Sequence, residues 1–217
     1  MSEPVKTRSY NSPVRREQAA RTRQRILDAA GDLFARQGYG TTSVRQIADA
    51  AQVAPDTVYA TFGSKARLLT ALVDIRLAPG GQASILDRPE VQALRQERDP
   101  RRLLRLFARD YAAMSERVRP VSEVLRTAKA VEPEMAAVRE QMEAHRLQYM
   151  RTIVQWLADR ARLRVPADRA ADIVWALASP DVGRMLCDVQ GWTTGEYAAW
   201  LEETLAASLL TTGVSSP

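Results

Sequence analysis

The sequence contains one cysteine, Cys187, and one histidine, His145, in 217 residues. A single cysteine excludes an internal disulfide framework. With one residue of each kind, most metal sites and most nucleophile–histidine arrangements are also unavailable, so we expect no metal site and no cofactor. The glycine-rich nucleotide motifs and the GxSxG nucleophile motif are absent too. The composition therefore argues against an enzyme.

Long apolar runs are missing as well. No stretch approaches the roughly 20 uninterrupted apolar residues that a membrane-spanning helix needs, and the first 17 residues lack the apolar core of a signal peptide. Hydrophobic residues make up 46% of the chain, which is usual for a globular protein. We therefore expect a cytoplasmic protein with no membrane partner, built as one sizeable domain or as a small domain joined to a larger one.

The excess positive charge lies in one part of the chain. Residues 1–67 contain 11 lysines and arginines against 6 acidic residues, whereas residues 68–217 contain 20 of each. The net charge of +5 therefore belongs to the first third. A polyanion that docks there gains from phosphate neutralisation and counterion release, although arginine-rich helices can also be no more than soluble surfaces.

Residues 41–65 predict two short helices joined by a tight turn and followed by the start of a third helix. The first of these helices has four apolar residues on one face at helical spacing, Val44, Ile47, Ala48 and Ala51. Pro55 suits the first turn of the next helix, where a missing N–H costs little. Val58 and Phe62, four residues apart, give that helix an inward face and leave its other side outward. A short helix with small or hydroxylated outer residues is what a DNA major groove can admit.

A family resemblance is carried by motifs in the first third of the chain. They lie at residues 25–30, 33–34, 37–39, 42–48 and 57–65. In these motifs the chain resembles the DNA-binding domain of the TetR family of transcriptional repressors. Beyond about residue 70 the resemblance rests on length, helical pattern and the segment 191–197. It implies an all-α fold, with an N-terminal three-helix helix-turn-helix DNA-binding domain and a C-terminal helical bundle for ligand binding and dimerisation.

Two positions depart from the usual family pattern. Gln52 stands where the family usually has a turn glycine, and it adds strain if that position needs a positive φ. Ala54 stands where a serine cap is common, and the loss of a helix cap costs about 1 kcal/mol. Both changes would leave the second helix of the motif less rigid before it binds DNA.

The predicted organisation has three parts. Residues 1–15 are predicted as a disordered basic arm, 16–63 as the helix-turn-helix domain and 64–217 as the ligand-binding and dimerisation domain. Four basic residues at this end of the chain are expected either to reach a DNA phosphate or minor groove or to make no contact. They are Lys6, Arg8, Arg15 and Arg16.

Nine or ten helices and no strands are expected. Thr42 or Ser43 is expected to cap the first helix of the motif, and Gly38 to end the helix before it. The main helices of the first part are expected at 16–37, 55–61 and 64–77. Further helices are expected at 101–117, from Pro120, from Pro133 to about 162, from Pro166 to about 190 with interruptions at Pro180 and Gly183, and to about 210 after a cap at Thr194.

The DNA-binding candidates divide into base readers and phosphate binders. Arg45 has the geometry for a bidentate contact to guanine, and Pro55 and Ala60 offer apolar contact to a thymine methyl. Asp56 either accepts from cytosine N4 or only favours the positive end of its helix. The phosphate candidates carry hydroxyl or ammonium groups, and the resemblance implies this role most directly for Tyr59 and Lys65. They are Thr42, Ser43, Thr57, Tyr59, Thr61 and Lys65.

The bundle contains aromatic, methionine and histidine side chains of the kind that line ligand pockets. Such residues at helical spacing more often form a packed core, and a lone histidine such as His145 is more often exposed or satisfied by a partner. The candidates are Phe107, Tyr111, Met114, His145, Tyr149, Met150, Trp156 and Trp175.

By analogy with the family, the last two helices are expected to form a dimer surface. Their apolar residues exceed what one packed face needs, and a two-fold dimer matches a palindromic operator. The candidates are Val174, Leu177, Leu186, Val189, Tyr197, Trp200, Leu201 and Leu205.

The leading hypothesis is a homodimeric repressor that a small molecule, unknown from the sequence, releases from palindromic double-stranded operator DNA. The helix at 64–77 would transmit the signal. One alternative is an architectural DNA-binding protein without a ligand. The other is an enzyme with a DNA-binding appendage, which the missing motifs disfavour.

Overall fold

A computed structural model describes residues 13–77, 84–128 and 133–211. Within these ranges the fold is all-α, as predicted, and the only β-type pairing is an isolated antiparallel bridge between Leu163 and Leu210. No helix of the described residues has the length and apolar character needed to cross a membrane. The predicted arm lies mostly outside the described residues, including Lys6 and Arg8.

Ten α-helical elements follow one another along the described chain. A short 3₁₀ turn at Ile85–Asp87 precedes α5, and α9 is a single turn that continues as a π-helical segment, Arg184–Val189. The helices are α1 (Pro13–Gln37), α2 (Val44–Ala50), α3 (Pro55–Phe62), α4 (Lys65–Leu77), α5 (Pro89–Gln96), α6 (Pro100–Ala128), α7 (Pro133–Ala158), α8 (Ala167–Leu177), α9 (Pro180–Gly183) and α10 (Thr194–Leu209).

Local signals explain the first helix ends. Gly38, at φ +83°, ends α1 as predicted, and its N–H donates to the Phe34 carbonyl at 3.0 Å. Ser43, the second of the two predicted caps, begins α2 with a complete capping box. Its Oγ accepts from the Gln46 N–H, and the Gln46 side chain accepts from the Ser43 N–H.

Several predicted boundaries are wrong. Pro13 occupies the first turn of α1, where proline is tolerated, so the helix begins before its predicted start at Arg16 and includes Arg15, which was expected in the arm. Pro120 lies inside α6 and does not begin a helix. Its ring is exposed, and the apolar stripe of α6 continues past it through Val121 and Val124, so packing maintains the helix despite the missing N–H.

The C-terminal boundaries also need correction. The helix predicted from Pro133 to about residue 162 ends at Ala158. The segment predicted as one interrupted helix to about residue 190 divides after Leu177, because the Ser179 hydroxyl caps a new turn. The cap of α10 is Thr193 and not Thr194, since Thr193 forms the capping box with Glu196.

The chain forms two compact units that divide between Leu69 and Thr70, within α4. In the first unit, α1, α2 and α3 bury their apolar faces together. The fully buried residues include Ile26, Leu27, Phe34, Ile47, Val58 and Leu68. In the second unit, α6 packs against α10 and α7 packs against α8 around a separate core.

The turn between α2 and α3 is strained at Gln52. Its φ of 55° is the only positive value among the described non-glycine residues, and the left-handed region costs an L-residue with a Cβ about 1–2 kcal/mol. The position predicted to need glycine therefore does adopt the conformation that glycine favours. Ala54, the N-cap of α3, makes no side-chain hydrogen bond, as its identity predicted.

Substitution of Gln52 by glycine should relieve this strain. We expect Gln52→Gly to raise the free energy of unfolding by about 0.5–1 kcal/mol, measured by urea denaturation, after allowance for the extra entropy of glycine in the unfolded chain. Gln52→Ala is the matched control, because it removes the same exposed side chain but keeps the Cβ. Equal stability of the two variants would contradict the assignment of the strain to the backbone.

Candidate DNA interface and ligand cavity

The helix α3 presents a continuous exposed face because two residues anchor its other side. Val58 and Phe62 are buried, and the Arg23 guanidinium of α1 lies 4.6 Å from the centre of the Phe62 ring. Thr57 is half-buried. The exposed residues are all among the predicted DNA-binding set, namely Pro55, Asp56, Tyr59, Ala60 and Thr61.

The polar groups of this face differ in whether they can bond to another molecule. Tyr59 is 52% exposed and is one of the largest apolar surfaces open to solvent. The Thr61 hydroxyl donates to the Thr57 carbonyl at 2.6 Å, so its oxygen remains free to accept. Asp56 lies in the first turn of α3, which places its carboxylate at the positive end of the helix dipole.

The helix α2 contributes two more predicted residues to the exposed surface. The Arg45 side chain is exposed, and no hydrogen bond or ion pair links it to the described residues. Ser43 is exposed at the N-cap, where its oxygen accepts from the backbone and its O–H can still donate. Both side chains can therefore reach a bound molecule without the loss of a protein contact.

Thr42 and Lys65, two of the predicted phosphate binders, are engaged inside the unit instead. Thr42 is 1% exposed, and its hydroxyl donates to the Gly38 carbonyl at 2.7 Å. The Lys65 ammonium donates to the carbonyls of Tyr39 and Thr42 at 3.1 and 3.0 Å. It also lies 4.1 Å from the centre of the Tyr39 ring, a cation–π contact. The prediction of a phosphate ligand is corrected for Thr42, because its hydroxyl is buried, whereas the half-buried Lys65 stays a predicted phosphate binder. Together they fasten the α1–α2 turn to the start of α4.

The second unit contains a cavity of about 1400 Å³. That volume exceeds the roughly 300–1,000 Å³ of ordinary small-molecule sites. Its wall comes mainly from α6, α7 and the α8–α9 region. Six of the eight predicted ligand residues line it, namely Tyr111, Met114, His145, Tyr149, Met150 and Trp175.

Phe107 and Trp156 do not line the cavity, and their prediction as ligand residues is corrected. Phe107 is fully buried, with its ring centre 5.8 Å from that of Tyr111 and 6.4 Å from that of Tyr149. Phe107 therefore packs against two residues of the cavity wall from the side of the core. Trp156 is half-buried and packs against the core of the second unit.

Arg146, which the sequence reasoning missed, organises one side of the cavity. Its guanidinium donates to the carbonyls of Trp175 and Ala178 at 2.6 and 2.9 Å, and it pairs with the Glu143 carboxylate at 2.8 Å. It also lies 4.4 Å from the centre of the Trp175 ring. Helical spacing alone gives no signal for this role, because the contacts of Arg146 join α7 to a distant part of the chain.

The tyrosine hydroxyls of the wall are neutral at physiological pH. Burial raises the pKa of Tyr111 well above its usual range, and the nearby Arg146 charge opposes this only partly. Burial raises the pKa of Tyr149 as well. Both side chains are therefore available as hydrogen-bond donors and acceptors.

Two walls of the cavity approach each other at a glycine. A Cβ on Gly183 of α9 would lie 2.8 Å from the Ser115 hydroxyl of α6 and 3.6 Å from the Tyr197 ring. Ser115 also lines the cavity. The close contact of α6 with α9 therefore depends on the absence of a side chain at residue 183.

The predicted dimer residues separate into two groups. Val174, Tyr197, Leu201 and Leu205 are buried in the core of their own unit, so the prediction that they form a surface is corrected. The Tyr197 hydroxyl even donates to the Leu177 carbonyl at 3.2 Å. The remaining candidates retain exposed surface, which is largest for Val189 at 62%, and include Leu177, Leu186 and Trp200.

Among the described residues, no group of three or more histidine, cysteine, aspartate and glutamate side chains is placed to hold a metal ion. The Cys187 thiol is free and half-buried.

Comparisons with known proteins agree with this arrangement. The sequence model described as "Bacterial regulatory proteins, tetR family" matches residues 26–72. The regulator TtgR of Pseudomonas putida is 27% identical over 196 residues, which cover 82% of this chain and 90% of TtgR.

Two solved structures share the fold. NalD of Pseudomonas aeruginosa, the secondary repressor of the MexAB-OprM multidrug efflux pump, superposes with a TM-score of 0.68 at 24% identity, covering 90% of this chain and 99% of NalD. A SmeT–triclosan complex gives a TM-score of 0.68 at 22% identity, covering 90% and 95%. The family match falls on the helices that present the exposed face of α3, and the similarity to TtgR extends over most of the chain. The family match over residues 26–72 and the similarity to TtgR together indicate a DNA-binding transcriptional regulator of the TetR family.

Proposed function

We propose that the protein is a homodimeric repressor that binds a palindromic operator through α3 and is released when a small molecule occupies the cavity. The observation that carries this proposal is the exposed, internally anchored face of α3 in one unit together with a large cavity in the other. In this proposal the protein acts in the cytoplasm, by binding and not by catalysis.

The DNA contacts follow from the chemistry of the exposed groups. Arg45 is proposed to read guanine, since its guanidinium is free of protein partners among the described residues. Tyr59 and Ser43 are proposed to donate to phosphates, which fixes position without reading sequence. Thr61 joins them when its O–H turns from the Thr57 carbonyl to a phosphate oxygen. Pro55, Ala60 and Thr57 complete the surface against the bases and backbone.

Asp56 keeps two proposed roles. Its carboxylate either accepts from cytosine N4 or serves only the dipole of α3, which lacks a side-chain cap. The first role makes the preferred operator depend on Asp56, and the second does not.

The dimer is proposed to use the partly exposed apolar residues of the α8–α9 region and α10. Val189 and Met185 are 62% and 48% exposed, and Leu177, Leu186 and Trp200 extend this surface. A two-fold axis through such a patch would present two copies of α3, one to each half of a palindrome.

Release requires that the effector bind the DNA-free form more tightly than the DNA-bound form. A 100-fold loss of operator affinity corresponds to about 2.7 kcal/mol of coupling. We propose that α4 carries this coupling, since it is one continuous helix whose later residues Val73 and Asp74 belong to the cavity wall.

An architectural DNA-binding role without a ligand is the second candidate. The exposed basic surface of the first unit suits it equally, because phosphate contacts carry no sequence information. Sequence selectivity of DNA binding distinguishes the two functions.

Selection from random double-stranded DNA at two salt concentrations should recover a palindrome. Binding to this palindrome should weaken steeply with salt, because phosphate contacts release counterions. Recovery of sequence-blind DNA alone would favour the architectural role and contradict the repressor.

Single substitutions then test the base contacts on the recovered palindrome, by fluorescence anisotropy. Arg45→Ala should lower the affinity by about 1–3 kcal/mol and relax the preference at one base pair. Arg169→Ala is the matched control, an exposed arginine of the second unit whose loss should change nothing. An unchanged selected sequence for Asp56→Ala would assign that carboxylate to the helix dipole.

Filling the cavity should abolish small-molecule binding but preserve DNA binding. Ala176 is exposed and lines the cavity, so Ala176→Trp adds bulk there without overpacking the core. We expect at least a 10-fold loss of affinity for the neutral apolar probe N-phenyl-1-naphthylamine, measured by fluorescence titration, at unchanged operator affinity. Ala144→Trp is the control, since Ala144 is exposed on α7 but does not line the cavity. Equal probe binding by both variants would contradict the cavity as the ligand site.

A further inference from the structure

Two hydrogen-bond donors on the cavity wall have no acceptor. The Trp175 Nε1–H and the Arg184 Nε–H are buried, and neither donates to any residue that the structure describes. Both residues line the cavity. These groups can donate but cannot accept, and a buried donor without an acceptor costs about 1–3 kcal/mol. Because buried polar groups almost always have a hydrogen-bond partner, we look for an acceptor outside the protein.

The surroundings hold the Trp175 indole in place. The Arg146 guanidinium stacks on the ring at 4.4 Å and donates to the Trp175 carbonyl at 2.6 Å. The indole N–H therefore has a fixed direction before any molecule binds. Arg184 begins the π-helical segment, a distortion that occurs frequently at functional sites.

These two donors differ from other unpaired donors because their residues line the cavity. A third buried donor without an acceptor, the Nε–H of Arg117, belongs to a residue that does not line the cavity. An orphaned donor alone therefore indicates nothing about ligands. Two of them belong to residues that line one large cavity, and a shift of the side chains that cover these atoms lets a bound molecule supply the acceptors.

The charged side chains of the cavity wall also favour a ligand that supplies acceptors and negative charge. It contains five arginines and four carboxylates. Arg119 pairs with Asp188 at 3.0 Å, and Arg146 pairs with Glu143. Arg139 and Arg184 form no ion pair with any described residue. They are opposed by the two remaining carboxylates of the wall, Asp74 and Asp181, which are exposed and therefore screened by water.

We infer that the effector is an anionic amphiphile, whose acidic head accepts hydrogen bonds from Trp175 and Arg184 and whose apolar body packs on Met114, Tyr149 and Met150. This inference rests on the proposal that the cavity is the effector site, and it adds the chemical class of the effector. A charge-assisted hydrogen bond to an arginine is about twice as strong as a neutral one, so the head group contributes selectivity as well as affinity.

Two fluorescent probes of nearly the same shape test the charge preference on the full chain. 8-Anilinonaphthalene-1-sulfonate has an anionic sulfonate, and N-phenyl-1-naphthylamine is the corresponding neutral molecule. We expect the wild-type protein to bind the sulfonate at least 10-fold more tightly than the neutral probe in fluorescence titrations at one salt concentration.

Three variants assign this preference to the two donors. Arg184→Met keeps an apolar stem of similar length and should weaken sulfonate binding about 10-fold with little effect on the neutral probe. Trp175→Phe keeps a ring for Arg146 but removes the N–H, and it should weaken sulfonate binding several-fold. Arg109→Gln removes an exposed arginine that does not line the cavity, and it should change neither probe.

The outcomes separate this inference from the proposed function. Equal affinity for both probes, or sulfonate binding that Arg184→Met and Trp175→Phe leave unchanged, would overturn the anionic head but keep the cavity as a ligand site. Failure of both probes to bind, or binding that Ala176→Trp does not alter, would overturn the ligand site and this inference with it. A loss specific to the sulfonate in both variants supports it.

Discussion

An eight-residue helix has too few internal hydrogen bonds to persist alone in water, so the exposed face of α3 depends on the burial of Val58 and Phe62. These two side chains fix the rotation of α3 about its axis, and that rotation decides which residues face outward. The helix has little other support, because its N-cap is Ala54 and the turn before it is strained at Gln52. Almost all of its order therefore comes from packing and not from its own ends.

The support continues into the turn that follows α1. The ammonium of Lys65 joins two backbone carbonyls of that turn to the first residue of α4, and the buried Thr42 hydroxyl closes the turn from within. A lysine used in this way satisfies carbonyls that would otherwise be partly buried without donors. The arrangement holds α2, and with it Arg45, in a defined position.

The second unit contains both a packed core and a cavity. Apolar packing holds the core together, whereas polar contacts help to shape the cavity wall. Arg146 satisfies carbonyls at the end of α8 and holds the Trp175 ring, so a charged side chain gives the wall its shape. Phe107 and its neighbours provide a rigid backing to that wall. The cavity is thus lined by groups whose positions are set before a ligand arrives.

Sequence patterns predicted the helices of the first unit well, because strong local signals such as Gly38, Ser43 and Pro55 coincide there with apolar spacing. They also identified Gln52 and Ala54 as weak points, since backbone conformation and capping are local properties. The helix start predicted at Pro120 is wrong, because burial of the valines on either side of it stabilises α6 by more than the loss of one hydrogen bond destabilises it. Burial by a distant partner has no local signal, which is why Thr42, Phe107 and Leu201 were assigned to surfaces or pockets that they do not reach.

The contact between Gly183 and Ser115 has a consequence for the way relatives of this protein diverge. With so little space between α6 and α9, a larger residue at 183 requires the Ser115 hydroxyl to turn away or the two helices to separate, unless residue 115 becomes smaller at the same time. A larger residue at 183 should therefore occur together with a smaller residue at 115 among proteins that keep this close contact between α6 and α9.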